Sequence, residues 1–132
     1  MTTDLYILLG ILLIIILFGV YRFIKLKKVL TSLTEEDFRQ GYRKAQLIDV
    51  REPNEYDGGH ILGARNIPLT QLKQRLTELR KDQPIYLYCQ SGSRAGRAAL
   101  ILNKNGYKDL YQLQGGFKKW TGKIKKTKKL DY

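Results

Sequence analysis

From Leu5 to Val20 the sequence has no charged residue, and Leu and Ile fill the run on every face without a 3.6-residue period. Leu5 to Ile24 is long enough for a helix to cross a bilayer: about 20 residues at about 1.5 Å each span about 30 Å of hydrocarbon. Arg22 then snorkels to the interface, and Tyr6, Tyr21 and Phe23 lie near the ends, where aromatic belts form. Residues 25–33 read as a basic linker. Polar and apolar positions then alternate in short blocks. Thr34 opens a helix with Glu35, Glu36 and Asp37 in its first turn, in a pattern resembling a capping box, and Gly41 ends it.

Residues 46–50 read as a buried strand. Pro53 starts a helical turn closed by Gly58 and Gly59, and Ala64 to Ile67 forms a second short strand. Thr70 caps an amphipathic helix, with Leu72, Leu76 and Leu79 at helical spacing. Residues 85–88 form a strand rich in β-favouring residues, followed by a Gly/Ser loop. Residues 95–105 form a helix stopped by Gly106, and residues 110–113 form another strand. A last helical turn at 117–121 carries Trp120. Strands alternating with helices predict an α/β fold whose parallel sheet is covered on both faces.

Charge adds a location. The 132 residues carry a net charge of +12. One basic cluster, Arg22, Lys25, Lys27 and Lys28, directly follows the apolar run. The other, Lys118, Lys119, Lys123, Lys125, Lys126, Lys128 and Lys129, lies near the C-terminus. The first four residues hold Asp4 and no side-chain cation, and no small-residue cleavage site follows the run. An anchor is therefore expected rather than a signal peptide. The positive-inside rule puts everything after the anchor in the cytoplasm. The expected organisation is an extracytoplasmic N-terminus at 1–4, a transmembrane helix at 5–24, the linker, a domain at 34–122 and a lysine-rich tail at 123–132. The tail suits anionic lipid heads or plain solvation. It lacks the interleaved aromatics and the recognisable fold of a nucleic-acid binder.

Chemistry centres on Cys89, the single cysteine. A lone thiol fits a reducing compartment or a thiol kept for chemistry. Cys89 follows a strand and precedes Gln90, Ser91, Gly92, Ser93 and Arg94, which lead into a helix. Ligands of parallel sheets bind beyond the carboxyl ends of the strands. The helix N-terminus and Arg94 both favour the thiolate, and Gly92 lets the loop curl into an anion-binding nest. The rival reading of Cys89 is a small buried hydrophobe. Cysteine phosphatases wrap phosphate with Cys-x5-Arg. Cys89 to Arg94 is one residue shorter, a ring better fitted to a persulfide sulfur.

Three segments resemble the rhodanese family. Leu47-Ile48-Asp49-Val50-Arg51-Glu52-Pro53-Asn54-Glu55-Tyr56, with Gly59-His60-Ile61 and Gly63 to Pro68, is similar to its first signature. Tyr88 to Ala95 resembles its active-site loop. Gly106-Tyr107, Leu113 to Phe117 and Trp120 resemble its C-terminal signature. The resemblance implies a rhodanese-like fold with a central five-stranded parallel sheet flanked by helices. It also implies transfer of sulfane sulfur through a Cys89 persulfide, from a small donor such as thiosulfate to a thiol, protein or cyanide acceptor, with no metal or organic cofactor. The alternative is a non-catalytic binding or redox-sensing module. Ala95 and Gly96 depart from the family, in which Ser often follows the loop Arg. His60 is expected to brace a loop, Asp49 and Arg51 to form a structural ion pair, Glu55 and Tyr56 to serve packing and surface, and Trp120 to act as a core lid.

Overall fold

The computed structural model describes residues 1–91 and 93–127, and of Ser93 the backbone alone. Gly92, the Ser93 side chain, Lys128 and Lys129 lie outside the described residues. Helix α1 (Thr2–Val29) is 28 residues long, buries none of them, and is long and apolar enough to cross a membrane. It passes without a break into strand β1 (Leu30–Leu33). Residues 25–33 are therefore not a linker. They are the end of the long helix and an edge strand of the sheet. The reason is packing: Leu26 and Val29 rest on one core cluster and Leu33 on the other, while Leu30 is itself buried.

Helix α2 (Glu35–Gly41) starts where Thr34 Oγ1 accepts the backbone N–H of Asp37 at 3.3 Å. Strand β2 (Gln46–Asp49), helix α3 (Pro53–Asp57), strands β3 (His60–Ile61) and β4 (Arg65–Asn66) and strand β5 (Ile85–Tyr88) follow. Helix α4 (Ser93–Lys104), strand β6 (Leu110–Leu113) and strand β7 (Ile124–Lys125) complete the fold. Five strands form a sheet in the order β1-β6-β5-β2-β4; it is parallel, as the alternating pattern led one to expect, and has the five strands that the rhodanese resemblance implied. β3 and β7 pair antiparallel beside it, so the lysine-rich stretch begins as a strand rather than a tail.

Side chains alternate across the sheet, which splits the core in two. Ile48, Ile85 and Leu87 face the layer of α4, where Ala95, Ala98, Ala99 and Leu102 pack. Leu47 and Tyr88 face Phe38 of α2 and Tyr42, with Tyr86, Phe117 and Trp120 packed alongside. Trp120 meets Phe38 and Tyr42 edge-on at 6.0 Å, the lid position expected for it.

The helix expected from Thr70 is absent. Residues Leu69–Gln74 and Leu76–Glu78 form 3-10 turns. The leucine spacing is real, and Leu72 and Leu79 are buried. Outside contacts claim the backbone. Leu69 N–H goes to Val50 O, Tyr107 Oη donates to the carbonyls of Leu76 and Leu79, and the Gln46 amide clasps Arg80 N and O. Within the segment the bonds close at i to i−3: Gln71 N–H on Pro68 O, Arg75 N–H on Leu72 O, Glu78 N–H on Arg75 O and Leu79 N–H on Leu76 O.

Candidate active site

β2 and β5 are neighbours in register, Asp49 opposite Tyr88, so their carboxyl ends open at one place. Cys89 follows β5 directly and α4 begins at Ser93. The strand, the short turn and the helix put Cys89 at the carboxyl ends of β2 and β5, the edge at which parallel sheets bind ligands. Cys89 is 1% exposed and contributes to the core cluster on the α4 side.

The turn is braced from two directions. The first brace is the C-terminal turn. Phe117 N–H donates to Cys89 O at 2.8 Å, and Lys118 N–H to Gln90 O at 3.1 Å. This approach requires Gly116, whose φ is +68°. A β-carbon there would stand 2.6 Å from Gln90 O and 2.7 Å from Cys89 O.

The second brace is Arg51, 2% exposed. Its guanidinium donates to both carboxylate oxygens of the fully buried Asp49, with Nη2–Oδ2 at 2.8 Å. It also donates to Gly59 O at 2.6 Å and, through Nη1, to Gln90 Oε1 at 3.0 Å. It lies 4.3 Å from the centre of the Phe117 ring. The expected Asp49–Arg51 ion pair therefore reaches further than a structural pair, because it holds a loop residue. Burial raises the Tyr88 hydroxyl above the usual phenol range, and the nearby Asp49 carboxylate adds to this.

Arg94 turns to Glu55 and not into open solvent. Nη1 meets Oε1 at 2.6 Å and Nη2 meets Oε2 at 3.0 Å. The Arg94 hydrogen bond holds the Glu55 carboxyl below the usual carboxylate range. Glu55, with Cys89 and Asp49 behind it, raises Arg94 further. Glu55 is thus more than the packing and surface residue expected. Its main clue was the first signature, since nothing in its local spacing to Arg94 links the two. Glu55 also caps its own helix, accepting Glu52 N–H at 3.2 Å.

His60 braces a loop, as expected: Nδ1 pairs with Tyr56 O at 2.8 Å, and its ring stacks on Tyr56 at 3.6 Å. Tyr56 Oη donates to Ala64 O at 2.6 Å. Gln90 and Arg94 are brought beside the turn, and Ser91 is exposed on it. Among the described residues, no three His, Cys, Asp or Glu side chains gather as a metal ion would need.

Ala95, directly after the loop Arg, is buried in the core cluster on the α4 side, and Gly96 after it faces α1. A β-carbon on Gly96 would stand 3.3 Å from Leu26 Cδ2, so this glycine seats α1 against α4.

Residues 34–123 match the model of the rhodanese-like domain. The chain is 62% identical over 113 residues to the uncharacterized protein YqhL of Bacillus subtilis (strain 168), covering 86% of this chain and 90% of that one. It is 31% identical over 100 residues to the thiosulfate sulfurtransferase GlpE of Pseudoalteromonas translucida (strain TAC 125), covering 76% and 89%. The crystal structure of a rhodanese-related protein from Thermoplasma volcanium superimposes with a TM-score of 0.66 at 26% identity, covering 71% of this chain and 96% of that one. The chain belongs to the rhodanese-like family.

Proposed function

From this membership in the rhodanese-like family we propose that the protein is a membrane-tethered sulfurtransferase, with Cys89 as the carrier of sulfane sulfur. The observation that carries the reading is the place of Cys89. It sits between β5 and α4, with Arg51 holding Gln90 of the turn that follows it and Arg94, at the start of α4, paired with Glu55. The likeness to a thiosulfate sulfurtransferase supports it.

The chemistry has two displacements. The Cys89 thiolate attacks the outer sulfur of thiosulfate. The S–S bond of the donor breaks, and sulfite leaves with the electron pair. Cys89 then carries a terminal sulfur with a negative charge, stabilised by the loop and by Arg94. An acceptor nucleophile such as cyanide or a thiol attacks that sulfur, the Cys89 S–S bond breaks, and the thiolate returns. Gln90, Ser91, Gly92, Ser93 and Arg94 form the loop that binds the anion.

The tether is α1. Two contacts with α4 support its direction. Leu26 sits at Gly96, while Tyr21, Arg22 and Lys25 share a groove with Leu100, Asn103 and Lys104. The two helices run antiparallel. The bilayer then lies where the strands begin, and Cys89 lies where they end, about 18 Å further along by the length of α4. The loop faces the aqueous phase, on the cytoplasmic side by the positive-inside rule. The described lysines of the C-terminal stretch belong to the same end. Lys118 N–H binds Gln90 O, and β7 pairs with His60 and Ile61. Their field draws anionic donors toward the loop, a better role than contact with a bilayer at the opposite end.

The burial of Cys89 favours a second reading, a binding or sulfide-sensing module without turnover. One experiment separates the two. The full-length protein in detergent micelles is mixed with thiosulfate, then cyanide. Enzyme activity predicts a covalent mass increase of one sulfur atom, followed by thiocyanate release, with both lost in Cys89→Ser. Failure with thiosulfate and with a persulfide donor would sink the sulfurtransferase reading.

A further inference from the structure

We propose that the groove between α1 and α4 binds an anionic phospholipid, with the phosphate among Arg22, Lys25 and Lys104. This rests on the membrane-tethered reading above. The groove has a volume of about 430 Å³, and Phe18, Tyr21 and Leu100 supply its apolar part. Among the described residues, no acidic side chain lines it, and none of the ion pairs formed engages its three cations.

Depth makes a lipid the fitting occupant. The uncharged run ends at Val20, and Tyr21 and Arg22 follow. Residues of that kind mark the level of the headgroups. One wall of the groove is therefore the anchor helix as it leaves hydrocarbon. The other is the C-terminal end of α4, held there by the Leu26–Gly96 contact and by Leu26 and Val29 on the core. An acyl tail can lie along Phe18 while the phosphate stays among the cations. The negative end of the α4 dipole opposes an anion, but more weakly than any one of the three cations attracts it. A bound lipid would clamp α4 to the anchor and fix the domain against the membrane surface.

The test uses the full-length protein released from nanodiscs of equimolar phosphatidylcholine and phosphatidylglycerol, with retained lipids counted by native mass spectrometry. The unmodified protein retains phosphatidylglycerol in preference. The double variant Arg22→Gln/Lys104→Gln loses about 25-fold of that preference, about fivefold per cation. Lys125→Gln/Lys126→Gln, at the far end of the domain, keeps it. Equal retention of both lipids, equal loss in the two variants, or displacement by glycerol 3-phosphate in place of lipid overturns the proposal. Alkaline carbonate extraction of cell membranes tests the tether separately. Release of the protein overturns both readings, whereas retention without a lipid preference overturns the lipid site alone.

Discussion

Arg94 and Glu55 form a two-pronged ion pair, Nη1 to Oε1 at 2.6 Å and Nη2 to Oε2 at 3.0 Å, 39 residues apart in sequence. The cation expected to greet an anionic donor is already answered by a carboxylate. A donor must share Arg94 with Glu55 or displace it. Glu55→Gln keeps the shape and removes the compensating charge. It is expected to lower KM for thiosulfate by about two- to fivefold, as an unscreened cation next to an anion would. Steady-state kinetics decide this. A raised KM would mean that Glu55 serves to orient Arg94.

The same pair makes part of the stability acid-sensitive. The folded pKa of Glu55 lies below its unfolded value, with the Arg94 hydrogen bond as the leading favourable cause. Its contribution is complete above the ordinary glutamate pKa of about 4.3 and is lost as pH falls through the folded value. Urea midpoints of the full-length protein from pH 7 down to 3 should fall less steeply in Glu55→Gln than in the unmodified form. Parallel curves would contradict the pairing.

Asp49 and Arg51 are both buried, and each answers the other. Asp49→Ala leaves a guanidinium in the core without its counter-charge. Breaking one side of such a pair costs about 3–5 kcal/mol. Gln90 would lose its anchor as well. Chemical denaturation measures the first effect, and thiocyanate production the second. A loss below about 1 kcal/mol would show that Gly59 O and Gln90 Oε1 suffice for Arg51.

Gly116 tests how tightly the turn after Cys89 is held. Gly116→Ala places a β-carbon against two backbone oxygens at a φ of +68°. The C-terminal turn must move, and with it the bonds to Cys89 O and Gln90 O. A loss of about 2 kcal/mol or more in stability and a kcat reduced about tenfold or more are expected. Unchanged kcat would separate this brace from the chemistry.

The sequence by itself determined the elements whose local signals are strong. Residues 85–88 and 110–113 are strands because apolar and β-favouring side chains fill them, and they stand where expected. α2 begins at the cap that Thr34 offers, and the long apolar helix follows from composition alone. The order strand, Cys89, Gly/Ser loop, Arg94, helix was also legible, because a strand–turn–helix unit is local in the chain.

Tertiary structure decided whatever depends on distant partners. Leu30–Leu33 becomes a strand because β6 offers it a free edge, which its own four residues do not announce. Residues 69–79 keep helical spacing yet form 3-10 turns whose ends are held from outside, by Val50 at Leu69 and by Tyr107 at Leu76 and Leu79. Glu55 reaches Arg94 across the crevice, and Leu26 reaches Gly96 only because α1 lies on α4. Periodicity reports which way a side chain faces within its own element. What it meets there is fixed only when the elements pack.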